Sequence, residues 1–392
     1  MALWIMLGLG VWAAASTMWA ADRGEAIGKS AMLLAFALAV WWTQASLTHT
    51  RPGLMRPELL RPELLRHAAW TALAAFAAGL VYLCVEELTG HLLKRALFAI
   101  LPFTRPSGKH MSGGIDDEEL LVSGYISNRN MAAAMLALWP MLLMVQALVE
   151  RSRRWPAIAA LLALTLATVA LSMHETSAIA LGLSALAFAV AMCRPRLGLA
   201  LVAAGWLVAT LLVVPLASWA SATAKLHEAM WLPNSARHRI VLWAYTAEQV
   251  QQRPLIGIGA ASTKLIDARR GPAVGTVPGT KYQWRSGPHA HNIYLQVWYE
   301  LGAVGGLLLS AAGLSLIMAM ARLPRAVVPY MAAALTSAAV MGAFTWGLWQ
   351  AWFMAAFAIS AVLGAIAGHI HAASTAVDRN HRYRPPDLSP VR

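Results

Sequence analysis

Apolar stretches of about 20 residues recur along this chain, and they restrict its possible folds more than any other feature. A helix of about 20 residues is long enough to cross the hydrocarbon core of a bilayer. The chain is 59% hydrophobic and only 12% charged, whereas soluble domains carry about 25% charged residues. Composition therefore excludes an ordinary soluble domain and predicts an all-α fold, a polytopic transmembrane helical bundle.

Ten segments have the length and composition of membrane-spanning helices. They are residues 3–20, 29–48, 68–88, 130–149, 156–173, 176–193, 197–217, 293–320, 327–345 and 348–371. An amphipathic stretch at 89–104 lies on the external interface or adds a short span, so we expect about 10–12 spans.

Five clusters of basic residues fall on alternate connections between these spans. They are Arg51, Arg56, Arg61 and Arg66; Arg151, Arg153 and Arg154; Arg194 and Arg196; Arg322 and Arg325; and Arg379, Arg382, Arg384 and Arg392. Short loops rich in Lys and Arg stay on the cytoplasmic side of a membrane. We therefore expect both termini to be cytoplasmic. The basic tail sets topology and contacts anionic membrane lipids, and we expect no nucleic-acid partner.

This topology predicts four regions. Residues 1–217 form the N-terminal transmembrane helices with basic cytoplasmic loops, 218–290 a long external loop, 291–371 the C-terminal transmembrane helices, and 372–392 a cytoplasmic tail. The long loop holds nine Lys and Arg residues against three acidic ones. This excess suits an anionic partner such as a diphosphate, although a solvated, charged loop explains most of these residues as well.

The long loop is predicted to be partly helical. Asn234 and Ser235 can cap a helix that runs from Ala236 to about Gln252, ahead of Pro254. Arg239 and Trp243 are four residues apart and share one face of that helix. The following Pro-Leu-Ile-Gly-Ile-Gly segment, 254–259, predicts an irregular turn in which glycine allows close backbone approach.

Ionisable and amide side chains gather where the apolar segment 293–320 begins. The stretch 289–302 reads His-Ala-His-Asn-Ile-Tyr-Leu-Gln-Val-Trp-Tyr-Glu-Leu-Gly. Ionisable groups entering a bilayer are costly to bury, so they indicate a working site.

His289 and His291 are two residues apart, so their side chains would diverge by about 200° on a helix, which disfavours binding of one metal ion by both. The acidic run 116–119 could bind a divalent cation, but consecutive acidic residues on a loop are usually just solvated. We predict no metal site.

Three polar elements follow one another along the chain. They are Asn128-Arg129-Asn130-Met131-Ala132; Arg239-Ile240-Val241-Leu242-Trp243 followed by 254–259; and His291-Asn292-Ile293-Tyr294-Leu295-Gln296 leading into Glu300-Leu301-Gly302. In this order and spacing they resemble the O-antigen ligase family, a branch of the Wzy/ligase superfamily of polytopic membrane glycosyltransferases. The resemblance covers roughly residues 125–310. One departure is that the family often has Ser-Arg at the external start of a span, where this chain has 174–178, His-Glu-Thr-Ser-Ala.

The resemblance implies a GT-C-like helical fold and an inverting, metal-independent ligase without a cofactor, in a bacterial inner membrane. Its active site would face the periplasm, where a glycan passes from undecaprenyl diphosphate to a sugar hydroxyl of lipid A–core oligosaccharide during lipopolysaccharide biosynthesis. An O-antigen polymerase or a protein O-oligosaccharyltransferase of the same superfamily remains open. A lipid-linked glycan transporter is a further alternative, although such proteins carry charges and broken helices at mid-membrane.

Glycosyl transfer from a lipid diphosphate needs a base for the acceptor hydroxyl and positive charge at the leaving diphosphate. Imidazole suits the first task and Arg the second. We therefore predict His291 as the catalytic base or acceptor-orienting group, with the alternative that it is an interfacial histidine. The predicted substrate-binding residues are Arg129, Arg239 and Arg285 for the diphosphate, Asn292 and Tyr294 for sugars or the imidazole, and Asn130, His289 and Glu300. We expect Glu300 to hold a neighbouring basic group in place.

Overall fold

A computed structural model describes residues 2–48, 62–105, 111–112, 121–122, 124–270, 275–278 and 280–382. Most of the first arginine-rich loop, the acidic run 116–119 and the last ten residues of the predicted tail lie outside this description. The helices are α1 (Ala2–Ala15), α2 (Arg23–Thr48), α3 (Pro62–Leu88), α4 (Leu92–Ile100), α5 (Asn128–Leu148), α6 (Arg151–Leu171), α7 (Glu175–Cys193), α8 (Pro195–Leu211), α9 (Val213–Ala222), α10 (Asn234–Val250), α11 (Thr263–Arg270), α12 (Ile293–Met320), α13 (Val328–Phe344) and α14 (Ala351–Arg382). Two short strands, β1 (Met111–Ser112) and β2 (Leu121–Val122), pair antiparallel.

The helical composition and the membrane-spanning character are confirmed. Within the described residues, seven helices are long and apolar enough to cross a membrane, and two shorter apolar helices accompany them. The seven are Arg23–Leu47, Glu63–Leu88, Tyr125–Leu148, Arg151–Leu171, Glu175–Cys193, Ile293–Met320 and Ala351–Thr375; the two shorter ones are Leu3–Met18 and Val328–Phe344. The protein is therefore an all-α, multi-pass membrane protein.

The predicted span 197–217 is not one continuous helix. The chain bends by 69° between α8 and α9, and the pair counts as an eighth span only if it is treated as broken. Pro215 lies one turn after the end of α8. Proline has no amide hydrogen to donate to the carbonyl four residues earlier, and its ring clashes with that carbonyl, so the helix breaks there. Hydropathy alone does not reveal such a bend.

The chain forms two compact units. The first comprises Met1–Trp42 and Glu175–Ile359, and the second comprises Thr43–His174 and Ser360–Arg392. In the second unit, α3 packs against α5 and α6. Lys94 of α4 is buried and donates to Ser127 Oγ at 2.7 Å, while its ammonium lies 3.5 Å from the Glu86 carboxylate. The leucines of α4 are exposed instead, so this amphipathic helix directs its lysine inward.

Helix α12 is central to the first unit, where it packs against α1, α8, α10 and α13. The helix is broken at Gly302, whose φ of 66° and ψ of −164° are not helical. The predicted irregular turn 254–259 fits into this break. The amide of Ala303 donates to Pro254 O at 2.8 Å, and the amide of Gly259 donates to Glu300 O at 2.9 Å. The turn thus satisfies backbone groups that the break releases, as an apolar surrounding requires.

The close approach predicted for the glycines of this turn is confirmed: Gly257 lies against α12, and Gly259 lies against Ala20. A Cβ at Gly257 would lie 2.5 Å from the carbonyl carbon of Glu300, and a Cβ at Gly302 would lie 2.3 Å from Leu255 O. Both glycines have positive φ values, which side chains with a Cβ rarely adopt. The Gly-x-Gly pattern here therefore serves backbone packing.

Candidate functional site

His289 and His291 lie in the segment that immediately precedes α12, not on the helix itself. His291 has a φ of 54°, and this left-handed turn brings the two imidazole rings to 4.2 Å between centroids. The expectation that the two rings diverge is therefore wrong, because it assumed helical geometry. Nε2 of His289 is buried and has no hydrogen-bond partner among the described residues. The two rings form one cluster.

His291 is held by a backbone carbonyl. Its Nδ1 lies 2.5 Å from the carbonyl oxygen of Thr345. A carbonyl oxygen only accepts hydrogen bonds, so Nδ1 carries the proton and donates, and Nε2 keeps its lone pair. In this arrangement the Nε2 atom of His291 is a hydrogen-bond acceptor with a fixed orientation.

Burial together with the nearby His289, Arg239 and His238 lowers the pKa of His291 to about 3, although the hydrogen bond to Thr345 acts in the opposite direction. Burial and Arg239 likewise lower the pKa of His289 to about 4. Both imidazoles are therefore neutral near pH 7. A neutral imidazole can accept a proton from a hydroxyl, while a protonated one cannot.

Arg239 reaches the same cluster from α10. Its Nη1 donates to the carbonyl of Phe344 at 2.7 Å, and its charge lowers the pKa of both histidines. Trp243, one turn later, donates from Nε1 to the carbonyl of Ala290 at 2.8 Å. The predicted helix and the shared face of Arg239 and Trp243 are thus confirmed.

The predicted cap of α10 is wrong. The helix begins at Asn234 itself, and no side chain caps it. The Asn234 carboxamide oxygen instead accepts from the Tyr282 hydroxyl at 2.5 Å, and Ser235 donates to Glu175 at 3.3 Å. Tertiary partners have therefore taken both side chains that the local pattern assigned to capping.

Asn292 and Tyr294 have structural partners near the histidines. Asn292 is the N-cap of α12 and accepts from the Leu295 amide at 3.0 Å. The buried hydroxyl of Tyr294 donates to the carbonyl of Ala339 at 2.9 Å. Their predicted contacts with sugars or the imidazole remain predictions, and these bonds show what else the two side chains do.

Glu300 is fully buried and accepts from several neutral donors. Its carboxylate receives the amides of Ala261 and Thr263, the Thr263 hydroxyl, the Gln296 carboxamide and the Trp349 indole N–H. We expected it to hold a basic group, but the donors the structure shows carry no charge. These neutral donors come largely from segments distant in sequence, because the turn after 259 and the segment before α14 both bring N–H groups to Glu300.

Arg285 is engaged by an acid. Its Nε donates to Asp267 Oδ1 of α11 at 2.8 Å and its Nη1 donates to Gln283 at 3.1 Å. The bond to Asp267 raises the pKa of Arg285. Part of its charge is therefore balanced within the protein.

Arg129 and Asn130 belong to the second unit, where both are exposed on the first turn of α5. The diphosphate contacts expected of Arg285 and Arg129, and the substrate contact expected of Asn130, stay predictions.

A cavity of about 650 Å³ lies in the first unit, and its wall reaches the candidate site. Most of the lining is apolar and comes from α7, α8, α9 and α13, for example Leu186, Val202 and Leu335. Asn292, Tyr294 and Trp243 belong to the same wall. The volume and the largely apolar lining suit a hydrocarbon group.

Sequence reasoning missed several contributors to this site. The carbonyls of Phe344 and Thr345 orient Arg239 and His291, but a backbone carbonyl has no residue-type signal. Gln296 was detectable, because it lies four residues before Glu300 within the same polar stretch and so shares its helix face.

The described geometry is that of a multi-pass membrane protein with a histidine–arginine site at the head of a broken helix. Residues 158–310, which include Arg239, His291 and Glu300, match the protein-family model described as O-antigen ligase. The resemblance to that family is thus confirmed over this segment.

Two curated relatives carry the name "Putative polysaccharide ligase". The protein from Rickettsia conorii is 28% identical over 124 residues, which are 31% of this chain and 29% of the relative. The protein from Rickettsia felis is 36% identical over 75 residues, which are 19% of this chain and 18% of the relative. The matched part therefore spans less than a third of the length of either relative.

Proposed function

We propose that this protein is a glycosyltransferase of the O-antigen ligase type. It transfers a glycan from undecaprenyl diphosphate to a sugar hydroxyl of lipid A–core, at the periplasmic face of the inner membrane. The observation that carries the proposal is the bond from His291 Nδ1 to the Thr345 carbonyl beside Arg239. It leaves a lone pair on Nε2 next to a permanent positive charge. The matches to ligases support the reaction class.

In the proposed reaction, Nε2 of His291 accepts the proton of the acceptor hydroxyl as its oxygen attacks the anomeric carbon. The bond from that carbon to the diphosphate oxygen breaks, and the diphosphate leaves with the bonding electron pair. Arg239 stabilises the charge that develops on the leaving group. The bound diphosphate also makes the imidazole more basic than in the free protein, because a nearby anion favours the protonated form. The chemistry uses no metal.

The apolar cavity supports a polyprenyl carrier. Its lining would take part of the hydrocarbon chain within the membrane, while Asn292 and Trp243 mark the end nearest the reacting groups. Arg285 and Arg129 would add charge for the diphosphate, and His289, Asn130 and Tyr294 would contact sugars. The region 218–290 would then be periplasmic and both termini cytoplasmic, with the four regions divided as the sequence predicts.

The test is a transfer assay with purified protein, the lipid-linked O-antigen and the lipid A–core of the source bacterium. His291→Ala and Arg239→Ala should each lower transfer at least about 100-fold, the range in which general bases and charge-stabilising donors act. Arg237→Ala is the matched control on α10, since its guanidinium contacts Met230. Equal protein yield and elution volume in detergent must accompany each variant.

Several outcomes would contradict the proposal. Wild-type transfer by both variants would remove His291 and Arg239 from the reaction. Growth of the lipid-linked glycan without lipid A–core would indicate a polymerase, and movement of the donor across the membrane without a new glycosidic bond would indicate a transporter. Loss of transfer with a chelator, restored by a divalent cation, would contradict the metal-free mechanism.

A further inference from the structure

The C-terminal residue of α13 and the connection from α13 to α14, residues 345–350, each make one backbone contact with the candidate site. The carbonyl of Thr345 accepts from His291, and the carbonyl of Phe344, the last residue of α13, accepts from Arg239. The base and the cation of the proposed reaction are therefore oriented by adjacent carbonyls. Any movement of this connection moves the partners of both groups together.

The connection is itself fixed by side chains of α12. The Gln296 carboxamide oxygen accepts from the amide of Leu348 at 2.8 Å, and the indole N–H of Trp349 donates to Glu300. Gln296 also donates to Glu300 at 3.1 Å. All three side chains are buried, so these bonds are shielded from water and each unmade partner would be costly.

Glu300 is anchored on its other side by the turn that follows 259. The amide of Ala261 donates to Oε2 at 2.7 Å, while the amide and the hydroxyl of Thr263 donate to Oε1 at 3.2 and 2.5 Å. The carboxylate therefore joins the 260–263 turn, α12 and the 345–350 connection. Its oxygens are occupied by these donors, which leaves it to hold neighbouring segments rather than to bind sugar.

Gly347 brings the connection against the histidine cluster. A Cβ at this position would lie 2.7 Å from Gln296 Oε1 and 2.8 Å from His289 Cβ. Those distances are shorter than side chains tolerate, so even an alanine requires the connection or His289 to shift. The connection is thus packed against His289 as well as hydrogen-bonded to His291.

We propose that Glu300 and Gln296 are positioning residues, which act through the 345–350 connection to hold His291 and Arg239 in the geometry that transfer requires. This inference rests on the proposed function. The connection lies beyond the segment 158–310 that matches the ligase family. Reacting groups must be held within about 0.5 Å of productive geometry, and a displacement of about 1 Å can cost 100-fold in rate.

The test compares Gly347→Ala, Glu300→Gln and Trp349→Phe in the purified full-length protein, with lipid-linked O-antigen and lipid A–core as substrates. Gly182→Ala is the matched control, because a Cβ at Gly182 meets no atom within 4 Å. We expect kcat to fall at least about tenfold in the three variants and to stay within about twofold of wild type in the control.

The pH profile separates positioning from partial unfolding. A smaller folded fraction lowers the rate equally at every pH. Loosening of His291 from Thr345 instead exposes the imidazole to water, which removes the largest cause of its lowered pKa. This gain outweighs the loss of the Thr345 bond, which by itself raises the pKa. The pKa then rises toward its ordinary value of about 6.5, so the variants should lose kcat/KM between pH 7 and 5 where the wild type does not.

The proposal is overturned if Gly347→Ala and Trp349→Phe keep the wild-type kcat and pH profile. It is also overturned if their rates fall by the same factor at all pH values, since that result indicates lost protein only. Because Glu300→Gln can impair folding, these two milder variants decide the question. Failure of the proposed function is distinguishable, since either the wild type would then form no glycosidic bond to lipid A–core or His291→Ala would transfer glycan normally.

Discussion

Gly302→Ala tests the break in α12 on which the site depends. Gly302 has a φ of 66° and a ψ of −164°, a region of backbone conformation that is essentially restricted to glycine. A Cβ there would lie 2.3 Å from Leu255 O. Ordinary contacts begin near 3.4 Å, so the turn 254–259 must retreat by about 1 Å.

The cost follows from these two effects. An L-residue in a sparsely populated backbone region costs about 1–3 kcal/mol. A retreat of the turn also stretches the bonds from Ala303 to Pro254 and from Gly259 to Glu300, now 2.8 and 2.9 Å. Each such bond contributes about 0.5–1.5 kcal/mol. Together the substitution should destabilise the first unit by roughly 2–6 kcal/mol.

The assay is thermal unfolding in detergent together with transfer activity. Gly302→Ala should unfold several degrees below the wild type and should lose transfer, because Glu300 lies two residues before the break. Gly182→Ala, in the interior of α7, should be neutral or stabilising by up to about 1 kcal/mol, as is usual when alanine replaces glycine in a helix. If Gly302→Ala unfolds at the wild-type temperature, the break is not required and the reasoning is refuted.

Three further predictions concern the candidate site. The kcat/KM of the wild type should stay nearly constant from pH 8 to about pH 5, because kcat/KM reports the free enzyme and the pKa of His291 in the free protein is about 3. A fall in kcat/KM centred near pH 6.5 would contradict this prediction. Tyr294→Phe removes the hydrogen bond to the Ala339 carbonyl, so it should lower the free energy of unfolding by about 1 kcal/mol and lower kcat less than about threefold. A tenfold loss of kcat would instead indicate that the hydroxyl takes part in the reaction. Arg285→Gln should raise the KM for the donor only about threefold, because Asp267 already balances the charge of Arg285 and partly exposed charges interact weakly. A rise above about 30-fold would show that Arg285 is a principal diphosphate ligand.

Much of the fold was predictable because the bilayer imposes simple rules on length and polarity. Each predicted span corresponds to a helix in the structure except 197–217, which is the bent pair α8 and α9. Two corrections came from local chemistry that hydropathy ignores, namely the bend before Pro215 and the inward position of Lys94. The first was visible as a proline in an apolar run, whereas the second required the buried carboxylate of Glu86 as a partner.

The candidate site was predictable only in part. His289, His291, Arg239 and Glu300 were recognisable as polar groups at the start of an apolar segment or on one helix face. The adjacency of the two imidazoles was not, because it depends on the left-handed turn at His291. The neutral partners of Glu300 were not predictable either, since they come from segments about 40 and 50 residues away.

The amino-acid sequence alone determined that this chain is a helical membrane protein with imidazole and guanidinium groups where an apolar segment begins. The length of an apolar segment and the residue types at its end can be read directly from neighbouring positions in the sequence. Tertiary structure decided which nitrogen of His291 carries the proton and where the Arg239 guanidinium is held. They depend on the carbonyls of Thr345 and Phe344, which lie 54 and 105 residues away along the chain. Every residue has a carbonyl, so only folding selects the ones that orient a side chain.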